Sequence, residues 1–206
     1  IKCIDAQEFP PLPVPEMDGA VPLNVVDFKE MIQQVAFAAS TDEARPVLMG
    51  VLLNVENDKV TMAAADGFRL SVRKAMLSNP APHPLNIIIP ARALNELARV
   101  ASDGEESIYM VVPKNRGQVL FRVKDVEVVS QLIDGTFPDY QQIIPRNYKS
   151  RTLVSTASML KACKQAEIFA REGSNVARFD IKQSQGELQP SEVEISATSE
   201  ETGKNE

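Results

Sequence analysis

At 206 residues the chain exceeds the ~100 to 150 of one ordinary domain without reaching two comfortable ones, so one whole domain with pieces of others fits its length. Its content of 44% hydrophobic and 24% charged residues is that of a globular protein, and no apolar run approaches the ~20 residues that span a bilayer. The formal charge of -6, from 22 Lys and Arg against 28 Asp and Glu, excludes a surface coated in positive charge but leaves room for a local basic stripe.

The chain opens IKCIDAQEF, with neither the basic n-region nor the apolar h-region of a signal peptide, and Cys3 and Cys163 are its only thiols and lie far apart. Together these predict a soluble protein of a reducing, cytoplasmic compartment, without membrane association. Helical periodicity begins at residue 25 and is expected to run to about residue 40, with Phe28, Met31, Ile32 and Val35 on one face and Asn24 as N-cap. Residues 50 to 55 and 59 to 62 then read as two strands joined at Asn57-Asp58. A second helix starts at Pro90, places Leu94, Leu97, Ala98 and Ala101 on one face and stops at Ser102-Asp103-Gly104. Strands are expected at residues 107 to 112, 118 to 123 and 126 to 129. The connector QLIDGTFPDYQQIIP, residues 131 to 145, repeats the acid, Phe-Pro and closing proline of IDAQEFPPLP at residues 4 to 13. A third helix follows Ser155-Thr156 with Leu160 and Cys163 leading its apolar face, and strands follow at residues 177 to 181 and 192 to 196.

Phe28, Leu94 and Leu160 hold equivalent places in the three helices and are spaced 66 residues apart, whereas Phe37 and Phe169, in the matching stretches VAFAAS and EIFARE, are spaced by 132. The repeat is therefore a half-domain nested within a domain. A helix followed by strands, twice, predicts an α+β fold with helices packed on one face of antiparallel sheets. The expected division is residues 1–17 as the end of one domain, 18–146 as a complete second and 147–206 as the first part of a third.

Four motifs stand in register with this repeat: RPVLMGV at residues 45 to 51, AADGFRLS at 64 to 71, LIDGTFPDY at 132 to 140 and FAREG at 169 to 173. In order and spacing the chain resembles the bacterial DNA polymerase III β subunit family, the sliding clamps, over nearly its whole length. The resemblance implies the sliding-clamp fold, a homodimeric ring of three similar domains per chain that encircles duplex DNA without reading its sequence. It also implies a hydrophobic pocket for a short peptide of the DNA polymerase III catalytic subunit, the clamp loader and other replication and repair proteins. By position, Leu48, Ala65, Gly67, Phe68, Arg69 and Leu70 would form one wall and Pro138, Gln142 and Ile143 another. Leu48, Leu70, Pro138 and Ile143 are apolar, and Arg69 suits a peptide carbonyl or carboxylate. The chain departs from the usual pattern at Ala65, Phe68 and Gln142, where a small hydroxyl residue, a histidine or tyrosine, and a basic residue are common.

Lys29, Arg92, Arg99, Lys161, Lys164 and Arg171 lie on the three helices. Taken alone they would be ordinary solvated polar faces. The resemblance instead implies that helices line the hole, where such residues would attract phosphates loosely, diluted by Glu30 and Glu96. Residues 64 to 71 would likewise be no more than a hairpin without the other three motifs. A catalytic role has little to stand on: His83, the only histidine, lies among prolines at residues 80 to 84, and no metal set, cofactor loop of the G-x-x-x-x-G-K kind or paired-carboxylate motif is present. A generic α+β protein-interaction module without DNA encirclement is the alternative reading.

Overall fold

The structure is a computed structural model, and it describes residues 5, 8, 17, 19–102, 104, 107–113, 117–171, 175–182, 191–199 and 203–205. The repeated stretch at residues 4 to 13 therefore lies outside the described residues except for Asp5 and Glu8. The chain divides into two compact units, Ile1–Ile144 and Pro145–Glu206.

The first unit runs β1 (Val21–Asn24), α1 (Val25–Val35), β2 (Gly50–Glu56), β3 (Lys59–Ala65), β4 (Leu70–Met76), β5 (Leu85–Pro90), α2 (Ala91–Val100), β6 (Ser107–Val111), β7 (Gln118–Val123) and β8 (Val126–Gln131). Asn24 caps α1 as expected, its Oδ1 accepting the Asp27 N–H at 3.0 Å. The helix ends at Val35, earlier than its periodicity suggests, because the chain tightens into a 3-10 turn at Ala36–Ala38 and is extended at Ala39. Two-residue turns at Asn57-Asp58 and Lys124-Asp125 close the hairpins β2–β3 and β7–β8, with Asn57 and Lys124 at φ of 53° and 50°.

In this unit α1 and α2 are each preceded by a short strand that the periodicity does not reveal, and the two halves exchange these strands. One sheet has the order β1-β6-β7-β8 and the other β4-β3-β2-β5, all antiparallel. Thus β1, from the first half, pairs with β6 of the second, and β5, from the second, pairs with β2 of the first. Pro22 is tolerated in β1 because that strand is a sheet edge.

Both sheets turn one face to α1 and α2. Val51, Leu53, Val55, Val60, Met62, Ala64 and Ile89 of one sheet join Val21, Leu23, Ile108, Met110, Val119, Phe121 and Val123 of the other around Phe28, Met31, Ile32, Leu94 and Leu97. Phe28 and Phe121 meet with ring centroids 6.1 Å apart. Phe28 and Leu94, the repeat equivalents, are both buried.

In the second unit α3 (Thr156–Arg171) is followed by β9 (Arg178–Lys182), β10 (Glu192–Ser199) and β11 (Gly203–Asn205), in the sheet order β11-β10-β9. Ala166 and Ala170, with Met159, Ala162, Cys163 and Phe169 partly buried around them, pack with Val193, Ile195 and Ala197. Leu160 does not lead this face: it is 54% exposed. At 3.6 residues per turn it lies about 120° round the helix from Ala166, outside the arc that Met159, Ala162 and Cys163 share.

Gly50 begins β2 where the backbone is crowded. A Cβ there would collide with Ile88 Cγ2 and lie 2.9 Å from Ile133 Cδ1, whereas one on Gly104 would meet nothing within 4 Å. Gly50→Ala is expected to cost about 1–3 kcal/mol, the usual range for overpacking. Urea denaturation with Gly104→Ala as the near-neutral control measures the difference.

Candidate partner-binding site

The outer face of the β4-β3-β2-β5 sheet, turned away from the helices, carries a second small core. Leu52 is paired with Ala63 on one side and Ile88 on the other, and Phe137 of the connector is buried with these three. Val47, Ala65, Val72, Ile133 and Tyr140 pack around them. The connector is fixed to the sheet where the Ile133 N–H donates to the Ile88 carbonyl at 2.9 Å. Gly135, at φ of 135°, is held so near Val47 that a Cβ would lie 2.7 Å from its Cγ2. Beyond Phe137, Asp139 caps a 3-10 turn at Tyr140–Gln142, accepting the Gln141 N–H at 3.1 Å and the Gln142 side-chain amide at 2.8 Å. The Phe-Pro pair thus divides its work: Phe137 is buried while Pro138 is exposed beside it.

Between β3 and β4 the chain turns through Asp66–Arg69, with Gly67 at φ of 96°. One Asp66 carboxylate oxygen accepts the Phe68 and Arg69 N–H groups at 2.9 and 3.0 Å, and the other accepts Arg69 Nε at 2.9 Å. Arg45, itself paired with Asp42, donates to the Asp66 carbonyl at 3.2 Å. The Arg69 guanidinium lies 5.5 Å from the ring centroid of Phe37, just past α1. Sequence reasoning assigned no role to Asp66, Arg45 or Phe37. The Asp-Gly turn signals the conformation of Asp66, but contacts across long sequence separations leave no periodic trace.

Of the expected pocket residues, Leu48, Ala65 and Leu70 are half-buried, and Gly67, Arg69, Pro138 and Gln142 are exposed. Phe68 is 96% exposed and Ile143 65%. Ala65 and Leu70 are directly paired across β3 and β4, on the sheet face that carries Phe137. Farther along that face a groove of about 490 Å³ is lined by Asn54, Glu56, Lys59, Thr61, Lys74, Met76, Tyr140 and Gln141. It contains none of the expected pocket residues, and its apolar lining is confined to Ala75, Met76 and Tyr140 among polar and charged neighbours.

The helix cations are placed unequally. Arg92 and Arg99 are exposed on the side of α2 opposite buried Leu94 and Leu97, and Arg99 pairs with Glu96 at 2.8 Å. Lys161, Lys164 and Arg171 are exposed on α3, within one arc of about 80°. Lys29 is drawn instead into the helix pair, its Nζ donating to the Ala101 carbonyl at the end of α2 at 2.7 Å. His83 is exposed in its proline-rich loop.

Residues 22–139 match the family model described as DNA polymerase III beta subunit, central domain. The chain belongs to the DNA polymerase III beta subunit family. The beta sliding clamp of Bacillus subtilis (strain 168) is 37% identical over 202 residues, covering 98% of this chain and 51% of the relative. That of Staphylococcus aureus (strain Mu50) is 38% identical over 200 residues, covering 97% and 51%. The crystal structure of the Bacillus subtilis DNA polymerase sliding clamp superposes with a TM-score of 0.86 at 37% identity, covering 98% of this chain and 51% of that one. The DNA polymerase III beta subunit of Thermotoga maritima gives 0.80 at 25% identity, over 98% and 52%. The α+β sliding-clamp fold expected from the sequence is therefore the fold observed. The chain spans about half the length of the curated relatives it matches. The segment matched to the central domain of DNA polymerase III beta subunits includes the whole β3–β4 turn and ends at Asp139, just before Gln142 and Ile143.

The Asp66 carboxyl is held below its ordinary pKa of 3.8, first by the Phe68 and Arg69 backbone N–H groups and then by the Arg69 side chain. Because folding favours the carboxylate, the turn's stabilisation from this group is complete above 3.8 and is lost as pH falls through the lowered value. An NMR titration is expected to show the Asp66 midpoint below 3.8, and Arg69→Gln is expected to move it upward.

Proposed function

We propose that this chain is part of a DNA polymerase processivity factor, a ring of two chains that encircles duplex DNA and tethers polymerases and other replication and repair proteins through the outer-face site. The observation that supports this reading is the sheet face that carries Phe137, where Ala65 is paired with half-buried Leu70 and Pro138 is exposed next to Phe137, in a chain of the DNA polymerase III beta subunit family whose Leu48 is half-buried and whose Phe68 and Ile143 are exposed. Large apolar groups left open beside a rigid sheet suit an extended peptide with apolar anchors. The role is tethering by geometry, without bond chemistry, in the cytoplasm where chromosomal DNA is copied.

In this proposal residues 1–17 end domain one, 18–146 form domain two and 147–206 begin domain three. The internal comparison supports it, since α3, β9, β10 and β11 repeat the order of α1, β2, β3 and β4, and the sheet order β9-β10-β11 repeats β2-β3-β4. In the first unit the free side of β2 is filled by β5. Among the described residues β9 has no such neighbour, and Phe179 and Ile181 are exposed. The rest of domain three would supply that strand.

Leu70→Glu combined with Pro138→Glu in the full-length protein is expected to weaken binding of a polymerase-derived peptide at least tenfold, read by fluorescence anisotropy, with an unchanged circular dichroism spectrum. Retained affinity contradicts the pocket. For DNA, the exposed cations of α2 and α3 are proposed to face phosphates, and Lys29 contributes chiefly to the helix pair. Arg92→Glu with Arg99→Glu is expected to shorten retention of the full-length ring on DNA and to flatten its salt dependence, each lost phosphate contact removing about 0.9 from the log–log slope. Unchanged retention and slope contradict that role.

A further inference from the structure

The two helices of the first unit share one core, yet they offer solvent charge of opposite sign. On α2 the side opposite buried Leu94 and Leu97 carries Arg92 and Arg99, which stand about 20° apart round the helix and so on one line along it. Arg92 has no ion-pair partner among the described residues, and the pair of Arg99 with Glu96 is an exposed one, of the kind worth little. On α1 the side opposite buried Phe28, Ile32 and Val35 carries Val26, Glu30 and Gln33, with Asp27 on one flank. The single cation of α1, Lys29, stands on the other flank, where its Nζ donates to the Ala101 carbonyl at 2.7 Å and bridges to the end of α2. Glu30 Oε1 accepts Gln34 Nε2 at 2.7 Å and lies 3.8 Å from Arg73 Nη2, so the cation that β4 sends toward α1 is met by a carboxylate. A phosphate approaching the outer side of α1 therefore meets a carboxylate and no uncommitted cation. Approaching α2, it meets two guanidiniums for one carboxylate. Repulsion between like charges at such range is strongest at low salt, where screening is weak.

We propose that this unit touches duplex DNA through α2 alone and that Glu30 denies α1 a phosphate contact. The inference rests on the DNA-facing reading above and deepens it, since one helix surface attracts the duplex while its neighbour holds it off. The unit's hold on DNA is thereby confined to a single ridge, which keeps it weak enough for movement along the duplex.

The test tracks single full-length rings by fluorescence on a duplex blocked at both ends and reads their diffusion coefficient at low and at high salt. Glu30→Lys is expected to lower the low-salt coefficient about two-fold or more, because the new cation makes a phosphate contact where none existed, and the difference is expected to vanish at high salt. Glu30→Gln removes the charge without adding one, is expected to fall between, and decides the matter where a lysine beside Arg73 unsettles the fold. Arg92→Glu is expected to raise the coefficient. Lys29→Met is expected to lower the thermal midpoint and leave the coefficient unchanged, because its ammonium is bound at the end of α2. Unchanged diffusion of the folded Glu30 variants, alongside faster diffusion of Arg92→Glu, leaves the α2 contact standing and overturns this inference. So does a gain in diffusion for Lys29→Met equal to that for Arg92→Glu, since α1 would then be in contact with phosphate. If neither Arg92→Glu nor the Glu30 variants change the coefficient, both readings fail.

Discussion

The exchange of strands between the two halves of the first unit is the constraint on which the rest depends. Because β1 pairs with β6 and β5 with β2, each half gives an edge strand to the other half's sheet. A single helix-and-strands half would leave one strand unpaired and the apolar face of its sheet open to water. Pairing the halves resolves both costs, since α1 and α2 then lie in a common core with inward residues of both sheets. The contacts that join the halves are long-range: Phe28 on Phe121, and Lys29 reaching the carbonyl that ends α2. The second unit shows the same building block with the exchange unmet among its described residues, and Phe179 and Ile181 are left exposed on β9.

With the inner faces filled by helices, the outer faces are the ones that the proposed partner site would use. On the β4-β3-β2-β5 sheet, the row Ile88, Leu52, Ala63 and Val72 is apolar on the side away from the helices, and Phe137 covers it. The connector is thereby anchored to the sheet that also presents the β3–β4 turn. Two chain segments some seventy residues apart in sequence become parts of one surface, which would lower the ordering cost of binding the extended peptide proposed above. The turn is prepared in the same sense. Asp66 gathers two backbone N–H groups and Arg69 Nε, which fixes the backbone that carries Phe68 and Arg69 into β4.

Much of this was legible in the sequence where the signal is local. The Asn24 cap, the period of Phe28, Met31, Ile32 and Val35, and the Asn-Asp turn of the first hairpin all act within a few residues, and each appears where expected. The 66-residue interval also exposed the nested repeat. What escaped were features decided by distant partners. VPLN and LNIIIP have no alternation strong enough to mark β1 and β5, because their place is fixed by partner residues at least thirty positions away. Leu160 matches Phe28 and Leu94 in spacing but not in burial, because α3 presents Met159, Ala162 and Cys163 to its sheet and leaves Leu160 to the side. Lys29 read as one of six equivalent cations until its ammonium proved to be bound at the end of α2. Asp66 and Phe37 were visible as motif members, whereas their joint hold on Arg69 exists only in three dimensions.

The central claim is that this fold serves to enclose DNA rather than to grip it. Its most direct measurement is the lifetime of the full-length protein on a nicked circular duplex before and after the circle is cut once by a restriction enzyme. Encirclement predicts that the protein persists on the circle, leaves rapidly once ends appear, and is retained when those ends are blocked by bound protein. A dissociation rate that is the same on circular, linear and end-blocked DNA would contradict the account.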